Sequence, residues 1–387
     1  MKLSEKKILT THAGSLPRSA ALSEMLGKKS RHQSIDERAL DQMIAESTRH
    51  VVAAQLEAGI DIGNNGEQGR ESFFTYIQHR MSGFSGRSER PIMSDLVHYP
   101  GFIALKAPDF ARIKVDLTHA PKATGAVRYT APNAIKKECE DFKRALAENQ
   151  KHFAEAFMNA PSPGIVAAAM LNEHYDSMGE YVDALADALK TEYQAIVNAG
   201  FVLQLDCPDL AMERHTMFAG KPLNDFLGFI DLVVAAINRS IAGLPRDQIR
   251  MHVCWGNYEG PHDDDVPLED IIANLYRAKV GAFMVSMANP RHAHEFRAFE
   301  RYPLPADAAL IVGAIDTTTN YVEHPELVAH RIELAAAAVG DPHRILAGTD
   351  CGFATSAGLG EVAEEVVWQK LRALSAGASL ATKRLLG

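Results

Sequence analysis

Eight short apolar runs, each ending in polar or glycine residues and each followed by a longer amphipathic stretch, constrain this chain more than any other feature. The first two end at His12-Ala13-Gly14-Ser15 and at Asp61-Ile62-Gly63-Asn64-Asn65-Gly66-Glu67. The next three cover residues 164–169, 201–206 and 251–254, and the last three cover 282–286, 309–316 and 345–351. Near-continuous apolar strands, in contrast to alternating ones, suit a parallel sheet buried on both faces. Between them, residues 180–199 place Tyr181, Leu185, Leu189, Tyr193 and Ile196 on one helical face, and residues 326–339 and 360–374 behave alike. Eight strands alternating with helices predict a (β/α)8 barrel of the TIM type. At 387 residues the chain fits one barrel domain over its whole length.

One stretch breaks the rhythm. Residues 81–122 hold much of the Ser, Gly, Pro and Arg content without a helix period. Ile113-Lys114-Val115-Asp116-Leu117 alternates as a half-exposed strand would. Paired with Gly125-Ala126-Val127-Arg128-Tyr129, it predicts an antiparallel β-hairpin inserted between the second and third barrel units, within an insertion of roughly residues 81–130.

A net charge of −9 argues against a nucleic-acid partner. No run approaches the roughly 20 apolar residues that span a bilayer. The N-terminus passes from Met1-Lys2-Leu3-Ser4-Glu5-Lys6-Lys7 into a strand without a signal-peptide core, so a cytoplasmic protein acting on small molecules is expected. The oligomeric state is left open, a homo-oligomer included. Four cysteines, Cys139, Cys207, Cys254 and Cys351, are too sparse for a disulfide scaffold and are expected as thiols available to a metal.

Active sites of such barrels form at the C-terminal strand ends. Here those ends carry Ser15, Glu67, Asp206, His252, Cys254, Ser286, Asp316 and Cys351. His252 and Cys254 lie two apart in a strand, so both side chains share a face, and imidazole with thiolate is a zinc pair wanting a third soft ligand such as Cys351. A polar strand end with a buried thiol is the bland alternative. Asp206 is a candidate to bind a substrate ammonium group or to cap a helix, and Glu67 is a candidate substrate-binding carboxylate or a solvated loop charge. Asp316 is an acid–base candidate or a cap. Trp255 is a candidate stacking surface. His292, His294 and Glu295 resemble metal chemistry but read better as an exposed, polar helix start.

Taken together, several motifs resemble the cobalamin-independent methionine synthases and their single-barrel relatives. They are Thr11-His12-Ala13-Gly14-Ser15-Leu16-Pro17-Arg18, Asn65-Gly66-Glu67-Gln68, Gln204-Leu205-Asp206-Cys207-Pro208-Asp209-Leu210, His252-Val253-Cys254, Ala288-Asn289-Pro290-Arg291-His292, Gly313-Ala314-Ile315-Asp316 and Asp350-Cys351-Gly352. The resemblance implies one Zn²⁺ held by His252, Cys254 and Cys351, which activates a thiol substrate as a zinc thiolate for alkylation by a small-molecule donor. It also implies that Glu67, Asp206 and groups near Ser15 hold an amino-acid substrate. Methyl transfer to homocysteine or a similar thiol is the leading expectation. Two departures stand out. Relatives carry a glutamate zinc ligand where this chain has Ser286, and the full enzymes carry a further N-terminal barrel half that helps bind the folate. The competing expectations are an epoxide-opening transferase of the coenzyme M type on the same zinc site, a metal-free decarboxylase-like lyase, and a metal- or ligand-binding barrel without turnover.

Overall fold

A computed structural model of the chain describes residues 1–110, 114, 115, 117 and 119–387. Among these residues nine strands form: β1 Ile62–Gly63, β2 Met81–Ser85, β3 Lys122–Tyr129, β4 Glu155–Pro161, β5 Val202–Asp206, β6 Ile249–Val253, β7 Ala282–Ser286, β8 Ala309–Ile315 and β9 Ile345–Thr349. Seven of them make one parallel sheet in the order β1-β4-β5-β6-β7-β8-β9. Every residue of β5 to β9 is buried, which is why these runs are mostly apolar, with Gln204 and Arg250 as buried polar exceptions inside them. The extended N-terminal segment lies between the two edge strands: Thr11 N–H donates to Ala347 O of β9 at 2.8 Å, and Ile62 N–H of β1 donates to Thr10 O at 2.9 Å. The architecture is a curled mixed α/β sheet consistent with a TIM-like barrel. Among the described residues, no helix is long and apolar enough to cross a membrane.

The helices follow the amphipathic stretches. Met178–Asn198, Pro325–Val339 and Glu364–Leu385 match the three expected segments, the last running on well beyond its expected end. Residues 164–169 correct the strand reading. They form the helix Pro163–Ala169, and the third barrel strand is the preceding β4. Ser162 caps that helix by accepting from Ile165 N–H, and Pro163 occupies its first turn, so local capping decided between two readings of one short apolar run.

The expected hairpin is also replaced. Residues 125–129 do lie in an antiparallel pair, but their partner is β2, with Met81 opposite Tyr129 and Ser85 opposite Lys122. The expected strand at 113–117 falls partly outside the described residues, and its described residues 114, 115 and 117 form bends. The helices Ser94–His98 and Pro100–Phe110 lie between the two strands of the pair.

Candidate active site

Parallel pairing sets the site. In the ladder Asp206 is opposite His252, so the ends of β5 and β6 bring carboxylate and imidazole side by side. Cys254 follows one residue beyond β6, and Cys351 follows β9. The ligand atoms of His252, Cys254 and Cys351 all lie within 4.8 Å of one another, and all three residues are buried. His252 Nε2 is 2.9 Å from the Asp350 carbonyl oxygen, which fixes Nε2 as the donor and leaves Nδ1 as the lone pair of a neutral ring. That Nδ1 is 3.4 Å from Asp206 Oδ1, so a cation, proton or metal, belongs between them.

Electrostatics agree with a cation site. Burial alone would lower the His252 pKa, but the Cys254 sulfur and Asp206 outweigh it and lift it to about 9. The Cys351 S–H bond holds Cys254 down at about 7, against the effect of burial, while Cys351 is pushed up. Near neutrality the two sulfurs therefore share one proton, and a soft metal ion is the natural replacement for it. Ser286 stands at the end of β7, and its hydroxyl donates to the Asp350 carbonyl oxygen at 2.8 Å. The Asp350 carboxylate in turn accepts from the backbone N–H groups of Met287, Ala288 and Asn289, each at 2.8 Å, and so pins the loop after β7.

Glu67 sits across the site in a buried turn. Its φ of +55° is unusual for a residue with a side chain, and the turn is held by Arg18 Nη2 donating to Glu67 O at 2.7 Å. Burial, with Asp206 adding to it, pushes the Glu67 carboxyl up to about 8. Its Oε2 has no hydrogen-bond partner, an expensive arrangement that a bound cationic donor would relieve. Asp206 is held on both oxygens, by Asn159 Nδ2 at 2.9 Å and Gln204 Nε2 at 2.7 Å. Ser15 is buried against Gly352, where a Cβ would collide with the Ser15 hydroxyl.

Two expected residues are placed differently from their readings. Trp255 is 1 % exposed, donates Nε1–H to Val266 O at 2.7 Å, and has one ring face covered by His292 at 3.8 Å between centroids. Asp316 caps its own loop, not a helix: Oδ1 accepts from Thr318 N–H at 3.1 Å, and Oδ2 accepts from the Thr319 hydroxyl. It still lines a cavity of about 430 Å³ together with Ser286, Asn289, Thr317 and Cys351. A second cavity of about 390 Å³ opens on His252, Cys254 and Cys351 together with Glu67, Asp206 and Ser15. Its far wall is apolar, made by Phe73, Phe74, Ile92, Met93, Leu96 and Ile103.

Sequence reasoning missed the supports. Asn159, Gln204 and Arg250 form a buried chain beneath Asp206, with Arg250 Nε donating to Gln204 Oε1 at 2.8 Å. Their signal was present: Gln204 and Arg250 are polar residues inside otherwise apolar strand runs. The exposed reading of His292 and Glu295 is corrected. Both are buried, and only His294 of that trio is exposed. His292 belongs instead to a second cluster with His262 and Asp265, whose ligand atoms also lie within 4.8 Å of one another. Asp265 is held well below the usual carboxylate range because His215, His262 and His292 outweigh its burial.

Gly14 tests the rigidity of this floor. It has φ +131°, and a Cβ there would overlap the Asn159 amide. Gly14→Ala is expected to cost about 3 kcal/mol in urea denaturation, from backbone strain plus overpacking. A loss below about 0.5 kcal/mol, the ordinary range for surface changes, would show that Asn159 yields freely.

The comparisons with known proteins point one way. The description "Cobalamin-independent synthase, Catalytic domain" matches residues 8–104. A methionine synthase of Sulfolobus acidocaldarius is 22% identical over 347 residues, covering 89% of this chain and 85% of that protein. One from Sulfurisphaera tokodaii is 21% identical, covering 97% and 93%. A B12-independent methionine synthase from Shewanella sp. W3-18-1, solved in complex with selenomethionine, superposes with a TM-score of 0.72 at 22% identity, covering 98% of this chain and 99% of that one. A putative vitamin-B12 independent methionine synthase from Listeria monocytogenes gives a TM-score of 0.65 at 20% identity, with the same coverage of both chains. The two structures share this fold.

Proposed function

We propose that this chain, assigned to the cobalamin-independent methionine synthase family, is a zinc-dependent transferase that alkylates a thiol, with methyl transfer to homocysteine as the leading reaction. The observation that carries this reading is the convergence of His252, Cys254 and Cys351 beside a buried carboxylate with an unsatisfied oxygen. One imidazole and two thiolates make a borderline-soft donor set that fits zinc. When bound, the ion lowers the pKa of a substrate thiol, so that its sulfur is a nucleophile at neutral pH.

The remaining work falls to the chain. Glu67 Oε2 and the Asp206 carboxylate take up the ammonium group of an amino-acid thiol, which orients its sulfur toward the metal ligands. Ser15, packed against Gly352, shapes the same end of the cavity. The loops after β6 and β9 contribute Asn257, Tyr258, Cys351 and Gly352 to the cavity around the reacting centre. As the new C–S bond forms, the bond from that carbon to its donor breaks. Asp316, aligned by Thr318 and Thr319 on the wall of the 430 Å³ cavity, is the group assigned to proton handling on the donor side. Ser286 is hydrogen-bonded to Asp350 O, so His252, Cys254 and Cys351 are the residues that would hold the ion, and a substrate thiol would meet it there.

A second reading is favoured by the apolar cavity. Phe73, Phe74, Ile92 and Met93 offer no hydrogen-bonding side chain to a folate but would suit a small apolar electrophile such as an epoxide. Ring opening would then need a proton for the released oxygen, taken up from solvent at the mouth of the cavity. Incubating the zinc-loaded protein with homocysteine or a sulfonated thiol, each paired with a methyl donor or a short epoxide, distinguishes these by product mass. S-methylated homocysteine is the expected product. A hydroxyalkyl thioether would move the assignment to the epoxide, and no product from any pairing would leave a barrel that binds without turnover.

A further inference from the structure

We propose a second metal site, separate from the thiolate centre, in which His262, His292 and Asp265 hold a divalent first-row transition-metal ion, with His215 packed against Asp265 beside them. The four residues come from three successive loops: His215 follows β5, His262 and Asp265 follow β6, and His292 follows β7. His215 and Asp265 have side chains only 0% and 1% exposed, and His292 only 3%.

Hydrogen-bond accounting points to the ion. A neutral imidazole carries one N–H. His262 has Nδ1 2.8 Å from Asp265 Oδ2 and Nε2 3.0 Å from the Tyr258 carbonyl oxygen, so both nitrogens face acceptors. His292 repeats the pattern, with Nε2 2.8 Å from Asp265 Oδ2 and Nδ1 3.5 Å from Glu295 Oε1. Without a metal, both rings must be buried cations or leave lone pairs facing oxygen. With one, each ring ligates through the nitrogen nearer Asp265 and donates its other N–H outward, to a backbone carbonyl in one case and a carboxylate in the other. That is the usual outer shell of a metal-bound histidine.

A second, independent observation comes from His215. Its Nδ1 lies 2.8 Å from Asp265 Oδ1, yet neither its nitrogens nor Asp265 Oδ1 makes a hydrogen bond of acceptable geometry. His215 lies outside the set whose ligand atoms are all within 4.8 Å of one another, so it flanks Asp265 and leaves Asp265 Oδ1 unsatisfied beside the cluster. Ligation of an ion by the Asp265 carboxylate would satisfy its Oδ1. Two imidazoles and a carboxylate contain no sulfur, so the site suits harder ions than the thiolate centre does. Trp255 stacks on His292 and is adjacent to Cys254, so an ion here would tie the loops after β6 and β7 and stiffen one wall of the active cavity.

Cobalt(II) reports both sites in one titration, because only thiolate ligation adds a sulfur-to-metal charge-transfer band. Metal-free wild-type protein, titrated anaerobically at micromolar concentration, is expected to bind about two equivalents, one with that band and one with ligand-field bands alone. Cys254→Ser/Cys351→Ser should keep the second class and lose the first. His262→Gln/His292→Gln should do the reverse. Absence of the sulfur-free equivalent in wild type would overturn the proposal, as would its retention in the histidine double variant. Failure of the thiolate reading would appear separately, as loss of the charge-transfer class from wild type.

Discussion

Replacing Cys254 or Cys351 by serine is expected to lower kcat/KM for thiol alkylation by at least about 10³-fold, since a metal's charge stabilisation is worth several kcal/mol. Zinc retention after dialysis should fall with it. The reasoning is geometric before it is chemical. The two sulfurs share one proton near neutrality in a buried pocket, and a hydroxyl in place of either neither ionises nor ligates zinc comparably. Cys207→Ser is the control. Cys207 is fully buried, its sulfur contacts the Leu205 carbonyl oxygen, and it lies outside the ligand cluster. Its substitution should leave zinc content unchanged. Full activity in the Cys254 variant would remove the metal from the account.

Glu67→Gln is expected to raise KM for an amino-acid thiol by about 10- to 100-fold, the worth of a buried charge-assisted hydrogen bond of 1.5–3 kcal/mol. A thiol lacking the amino group should be unaffected, which separates this role from general damage to the fold. The pH dependence carries a definite sign. Burial raises Glu67 to about 8, so below that pH the free site holds a neutral carboxyl that must release its proton when an ammonium binds. Wild-type affinity should therefore tighten as pH rises toward about 8, and Glu67→Gln should flatten that slope. Equal losses for thiols with and without an amino group would contradict the assignment.

The parts of the molecule that the sequence made legible are those governed by local periodicity. The placement of His252 and Cys254 follows from the end of a buried strand, and the parallel ladder that sets Asp206 against His252 follows from the barrel pattern. Long helices such as Met178–Asn198 were visible for the same reason. What failed was decided by competing local chemistry. Residues 164–169 are as apolar as a strand, but Ser162 and Pro163 start a helix there. The pairing of β2 with β3 joins segments separated by an intervening stretch whose alternation at 113–117 suggested a nearer partner. The His215, His262, Asp265 and His292 cluster assembles from three loops, and no spacing along the chain encodes that meeting. Glu67 was visible as a strand-end carboxylate, whereas its unsatisfied oxygen and left-handed backbone were not.

The most direct test of the central claim is the X-ray absorption spectrum of the full-length wild-type protein loaded with one equivalent of zinc. The account predicts a first shell containing two sulfur neighbours and at least one imidazole nitrogen, from Cys254, Cys351 and His252. A shell of nitrogen and oxygen alone, or protein that retains no zinc on dialysis, would contradict it.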